Sequence, residues 1–138
     1  MKQLSVFLEN REGRLEEALR ILKEEGINII SMSVADTAEY GMLRLIVNDV
    51  EKGKNALQKE GFSAHLSDVI AVKMPHVVGS LHDALSAVSK ANINVEYLYA
   101  LCTRTDEAAI VIKPSDTEGA VKALKDAGFG FFTDGDLF

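Results

Sequence analysis

The chain has 138 residues, 47% of them hydrophobic, and a formal net charge of −6. Both halves are mildly acidic and neither carries a basic stripe, which argues against non-specific nucleic-acid binding; no apolar run approaches the ~20 residues that cross a bilayer. The amino terminus, MKQLSVFLENREG, turns charged after Leu8, too soon for a signal peptide, and the single cysteine, Cys102, leaves no intrachain disulfide, so a cytoplasmic protein with no membrane or nucleic-acid partner is expected.

In chain order, residues 2–8 (KQLSVFL) place Leu4, Val6 and Leu8 on one face and predict a strand. Residues 9–14 (ENREGR) are polar and form a turn. Leu15, Ala18, Leu19 and Leu22 then recur at i, i+3, i+4 and i+7, the stripe of an amphipathic helix, and Gly26 sits where a left-handed residue ends a helix. Residues 27–35 (INIISMSVA) predict a buried strand, 36–41 a turn, and 42–48 (MLRLIVN) a second hairpin strand. Residues 50–60 predict a helix with Val50, Ala56 and Leu57 inward, weakened by up to ~1 kcal/mol at Gly53. Gly61 closes it, and a last strand starts at Phe62. The order is βαββαβ.

The order then repeats. Gly13 and Gly79, Leu15 and Leu81, and Asn28 and Asn94 each stand 66 residues apart. Residues 69–74 match the first strand, and Leu81, Ala84, Leu85 and Val88 match the first helical stripe. Residues 93–102 and 108–113 form the hairpin around the turn TRTDE, and 117–127 the second helix. From there the offset is 67, as Leu57/Leu124, Gly61/Gly128 and Phe62/Phe129 agree, so one residue is inserted in the hairpin region. The tail FGFFTDGDLF is read as a last strand with an end that frays. Two units follow, residues 1–67 and 68–138, joined without a Gly/Pro linker and therefore stiffly. Each βαββαβ unit folds as an antiparallel sheet with both helices on one face, an α+β, ferredoxin-like arrangement. The other face is too apolar for water and calls for cover.

A helix start offers unpaired N–H groups and the positive end of the helix dipole, a place for carboxylates. Gly13 and Gly79 allow close backbone approach. Asn28, read as early on the next strand, carries an amide that both donates and accepts, and Asn10 closes the preceding strand. Together these groups suit the α-carboxylate and α-ammonium of a free amino acid. The structural reading stands beside it: Gly13 as a turn residue, Gly26 as a helix cap, Asn28 as a partner for local backbone. Repetition preserves fold determinants as well as sites, so the repeat alone does not choose.

The run NREGRLEEALRILKEEGINI resembles the N-x-x-G-x-L, helix, G-[IV]-N-[IV] pattern of the ACT domain family of regulatory amino-acid-binding modules, and the resemblance covers the whole chain as two tandem copies. It implies a ligand held between a helix start and the second strand of a neighbouring domain. By that resemblance Asn10, Gly13, Leu15, Asn28 and Ile29 match the binding positions in unit one, and His76, Gly79, Leu81, Asn94 and Val95 in unit two. The flanking Arg11, Glu12, Arg14, Val78 and Ser80 complete the candidate set. Glu12 replaces the family's proline and His76 stands at Asn10's position, so the loop is less rigid and the two pockets differ. Arg11 and Arg14 read either as partners for an acidic ligand side chain or as solvated loop charges.

His65, His76 and His82 have no metal spacing, and no cofactor motif is present. Cys102 reads as a small core side chain. Tyr97 and Tyr99 share one strand face, for packing or for lining a pocket. The expected function is that of a stand-alone tandem ACT protein. It binds a free amino acid as a regulatory ligand, is non-catalytic, and assembles as a homodimer through sheet edges or faces. The alternative is a binding-incompetent oligomerisation or scaffold module that contacts a metabolic enzyme. A small enzyme with a site at the domain seam is a third reading.

Overall fold

The computed structural model describes residues 1–36, 39–104 and 106–138. The chain divides into two compact units, Lys2–Ser67 and Asp68–Phe138 with Met1. In unit one the elements are β1 (Lys2–Glu9), α1 (Arg14–Glu24), β2 (Ile29–Asp36), β3 (Tyr40–Val47), α2 (Val50–Lys59) and β4 (Ser63–Asp68). In unit two they are β5 (Ile70–Met74), α3 (Ser80–Lys90), β6 (Val95–Leu101), β7 (Ala108–Pro114), α4 (Thr117–Asp126), β8 (Phe131–Phe132) and α5 (Asp134–Leu137). The sheets run β2-β3-β1-β4 and β6-β7-β5-β8, so each unit is the expected antiparallel βαββαβ sheet.

The strand pattern decides which residues meet the helices. Leu4, Val6 and Leu8 face Leu45, Leu43 and Gly41 across the β1–β3 ladder, and α1 and α2 bury Ala18, Ile21, Leu22 and Leu57 against them. In unit two Ile70, Val72 and Ile112 meet Ala84, Val88, Ala120 and Leu124. Asp49 and Asp116 cap α2 and α4 by accepting the N–H of Lys52 and Gly119, at 3.0 and 3.1 Å. Gly26 takes φ +71 after α1, as expected of a left-handed cap. Within α2, Gly53 is more than a weak point. A Cβ there would stand 3.2 Å from Leu4 Cδ2 and 3.4 Å from Leu22 Cδ2, so a methyl group fits only if these leucines give way by a few tenths of an ångström.

Several expectations need correction. The strands after α1 and α3 begin at Ile29 and Val95, not at 27 and 93, because Ile27 turns inward as a core residue before pairing starts. Asn28 and Asn94 therefore precede their strands. The helical stripes are also shifted: Ala18, Ile21 and Leu22 are buried, while Leu15 and Leu19 flank them half-buried. The tail is a two-residue strand followed by α5, with Leu137 buried, so the end is held rather than frayed. Thr133 donates its N–H and its hydroxyl to Asp136 Oδ2, at 2.7 and 2.9 Å, which fixes the start of α5. Cys102 is exposed, just past the end of β6, and so is not a core side chain. Tyr97 and Tyr99 are half-buried on the sheet face away from the helices, opposite Lys113 and Val111, while Leu98 points the other way. Of the predicted hairpin turns, Thr37, Ala38 and Thr105 lie outside the described residues.

Candidate functional site

The tip of α1 is built by the loop that leaves β1. Asn10 donates its N–H to Glu39 O at 3.2 Å, and Arg11 pairs with Glu9 at 2.9 Å in solvent. Gly13 adopts φ +80 and Gly79 φ +88. A Cβ at either would meet nothing within 4 Å. The repeated glycine is thus required by backbone conformation, since a left-handed residue with a side chain is strained, and not by crowding. Neither tip is capped by a side chain; the first helical N–H groups, of Arg14 and Ser80, donate to Arg11 O and Val77 O at 3.4 and 3.1 Å, which leaves the next amides of the turn for an anion. Glu16 and Glu17 on α1, and Asp83 on α3, already sit against the positive helix ends. Glu12, His76 and Val78 are exposed in the two loops.

Arg14 is neither a solvated charge nor a free arm for a ligand. Its side chain is 13% exposed and pairs with Glu17 at 3.0 Å. Its guanidinium carbon lies 3.9 Å from the centre of the Phe62 ring, a cation–π contact between α1 and the start of β4. Its Nε is buried and has no hydrogen-bond partner. Ser80 takes the same place on α3, one residue after Gly79.

Asn28 and Asn94 have backbones pinned and side chains free. Asn28 donates its N–H to Asn48 Oδ1 at 2.9 Å and accepts from the Asn48 N–H at 3.2 Å. Asn94 donates to Ser115 Oγ at 3.0 Å and accepts from the Ser115 N–H at 2.8 Å. Both side-chain amides are exposed and make no hydrogen bond among the described residues. The structural reading, in which these amides serve local backbone, fails: that task belongs to Asn48 and Ser115, which the sequence reading passed over although they too repeat, 67 residues apart.

The expected socket does not form within one unit. Glu9, which leads to Gly13, pairs with Tyr40 at one end of β3. Ile29, which follows Asn28, pairs with Val47 at the other. Seven strand steps separate them, roughly 23 Å, too far for one α-amino acid to bridge. Unit two repeats this, with Met74 beside Ala108 at the tip end and Val95 beside Pro114 at the asparagine end. The topology forces the split, because a helix that crosses from one strand to a parallel one starts and finishes at opposite sheet ends.

Two hollows adjoin the tips. One, of about 860 Å³, runs along α1 past Gly13, Leu15, Leu19 and Arg20. There Arg20 donates to both oxygens of Glu24 at 2.9 Å, and the hydrogen bonds and charge of Glu24 raise the guanidinium pKa. The other, of about 570 Å³, lies in unit two beside His76, Ser80, Asp83 and Phe129. Sequence reasoning missed Phe62, Phe129, Glu17 and Asp83. The available signal was the repeat register itself, which pairs Phe62 with Phe129 and Glu17 with Asp83. No three His, Cys, Asp or Glu side chains among the described residues converge as a metal site, and no described helix is long and apolar enough to cross a membrane.

With this geometry in place, comparison with known proteins bears on the whole chain. Protein BT0572 from Bacteroides thetaiotaomicron has a similar structure, with a TM-score of 0.89 and 35% identity over 98% of this chain and 93% of that one. The regulatory subunit of aspartate kinase from Thermus thermophilus, in its ligand-free form, has a TM-score of 0.66 at 18% identity, covering 92% of each chain. Aspartate kinase from Clostridium acetobutylicum has a TM-score of 0.56 at 17% identity, over 91% of this chain and 32% of that one. These two share the fold. No curated protein sequence matches. The family described as an ACT domain pair matches residues 1–138, and the chain belongs to that family.

Proposed function

We propose that this ACT domain pair is a non-catalytic regulatory protein that binds a free amino acid. The observation that carries the reading is the pair of exposed, unengaged side-chain amides, Asn28 and Asn94, each on a backbone fixed by its own hydrogen bonds. A free side-chain amide on a pinned backbone leaves only its own rotamers to be ordered when a ligand binds. The uncapped helix tips at Gly13 and Gly79 supply the amides for a carboxylate. Because one unit separates tip from asparagine, the zwitterion bridges the tip of one copy and the asparagine of a second copy, and the working form is a homodimer. Binding then ties two copies together and shifts the population that a partner enzyme recognises. Asn10, Leu15 and Ile29, with Leu81 and Val95, frame the ligand in this arrangement.

Thermal unfolding with each of the twenty amino acids tests the proposal. At ~100 times its dissociation constant a true ligand adds roughly 2.7 kcal/mol. Asn28→Ala combined with Asn94→Ala is expected to abolish the shift; a shift that survives the double change places the ligand elsewhere.

A second reading rests on a different feature. Met32 and Val34 sit on the helix side of the edge strand β2, 39% and 47% exposed. Such an edge suits a scaffold that docks a metabolic enzyme without any ligand. Co-sedimentation with a partner that is unaffected by all twenty amino acids would favour it.

A further inference from the structure

Unit one answers a question that unit two leaves open. At the start of α1 the Arg14 guanidinium lies over Phe62 and against Glu17. The repeat register retains the aromatic ring as Phe129 and the carboxylate as Asp83, but replaces the cation with Ser80. The local backbone is the same in both units. Gly61 and Gly128 have φ +87 and +89, and the N–H groups of Phe62 and Phe129 donate to Leu57 O and Leu124 O. Phe62 is 4% exposed beneath its arginine; Phe129, with a serine at that position, is only partly buried and lines the cavity of about 570 Å³. Asp83 is one methylene shorter than Glu17 and widens the same space.

We propose that this cavity in unit two binds a free small molecule bearing an alkylguanidinium group, seated over Phe129 and against Asp83 as Arg14 is seated in unit one. The chemistry is specific. A planar cation with an apolar stem satisfies an aromatic face and a carboxylate together; Asp83, 73% exposed and 3.5 Å from His82 Nδ1, is open to a ligand arriving from solvent. The cavity volume is in the range of small-molecule sites. Its acidic lining also includes Asp106 and Glu107. Of its basic groups, Lys73 is already turned to Glu107, at 3.9 Å, and to the Phe132 ring, at 5.0 Å. The cavity adjoins the Gly79 tip, which the zwitterion reading also uses, and lies far from Asn94, so a guanidinium ligand without an α-carboxylate tells the two ligands apart.

The test uses the full chain with agmatine, L-arginine, blocked Nα-acetyl-arginine methylamide and butylamine, followed by amide chemical shifts and thermal unfolding. Agmatine lacks the α-carboxylate and does not satisfy the zwitterion site, and the same titration on Asn94→Ala keeps the two readings separate. Saturable shifts at Ser80, Gly128 and Phe129 with agmatine, retained in Asn94→Ala and at least tenfold weaker with butylamine, are expected. Ser80→Arg fills the cavity from within and is expected to weaken agmatine binding at least tenfold; Phe129→Leu, which keeps the bulk and removes the ring face, is expected to weaken it several-fold. In the reverse direction, Arg14→Ser is expected to create a second agmatine site in unit one. No shift up to millimolar agmatine, binding unchanged by both Ser80→Arg and Phe129→Leu, or tighter binding of blocked arginine, which assigns the cavity to a protein side chain, overturns the proposal.

Discussion

The two units share their backbone devices and differ in how side chains fill the space those devices leave. Gly13 and Gly79, and Gly61 and Gly128, hold the same left-handed conformations. After α3, however, Asn92 at φ +58 stands where unit one has Gly26. In the cores, Leu22 and Gly53 of unit one become Val88 and Ala120. A larger residue on one helix is matched by a smaller one on the other, so the pair conserves volume. At the helix tips, by contrast, Arg14 becomes Ser80 and nothing in the register compensates, so Phe129 loses its cover. A duplicated fold thus keeps what sets backbone and core, and diverges where the surface is free to change.

The largest expected difference lies at Arg14. Arg14→Ala is expected to destabilise unit one by about 2 kcal/mol, through loss of the cation–π contact and of the buried stem. Arg14→Met, which keeps the stem and removes the unpartnered Nε, is expected to cost less, because a buried polar atom with no partner is itself unfavourable. Denaturant unfolding of both variants compares the terms; equal losses would mean that the guanidinium, not its stem, does the holding.

The core exchange is tested by a double-mutant cycle. A methyl group at position 53 meets Leu22 and Leu4, so Gly53→Ala is expected to be more costly alone than in a Leu22→Val background, with a coupling of about 1 kcal/mol. Additive effects would show that the compensation seen between the units is coincidental. At the helix ends, Gly26→Ala is expected to cost about 1 kcal/mol, since Ala tolerates a left-handed φ poorly. Asn92→Gly is expected to change stability by no more than about 0.5 kcal/mol. A costly Asn92→Gly would give that side chain a role beyond its backbone angle.

The smallest effect is confined to unit two, which alone carries α5. The N–H of Thr133 first, and then its hydroxyl, hold the Asp136 pKa below its ordinary 3.8. A lowered carboxylate pKa contributes stability that is complete above the unfolded value and is lost as pH falls through the folded one. The protection factors of Leu137 and Phe138, that is, exchange relative to the intrinsic rate at each pH, are therefore expected to be flat above about pH 5 and to fall below 3.8, with unit one as internal reference. Asp136→Asn is expected to remove that acid step; its persistence would assign it to another group.

Much of the fold was legible in the chain because period and turn chemistry are local. Strands alternate at Leu4, Val6 and Leu8, helices recur at Ala18 and Leu22, and glycines mark the left-handed ends. The last turn was not legible: FGFFTDGDLF has strand composition, and only the Thr133–Asp136 hydrogen bonds and the burial of Leu137 turn it into a helix. For the candidate site, repetition supplied positions rather than contacts. Asn28 and Asn94 were identified by repetition, and the unit-two cavity was implicit in the pairing of Arg14 with Ser80.

By itself the sequence determined two βαββαβ units and their repeat register, and singled out the residues proposed to recognise a zwitterion, because these depend on spacing along one chain. Tertiary structure alone decided that Gly13 and Asn28 stand at opposite ends of a sheet, that Arg14 is spent on Phe62, and that Phe129 keeps an open face. Those outcomes depend on distances between residues far apart in the chain, which helix crossing and strand pairing set and which no local pattern encodes.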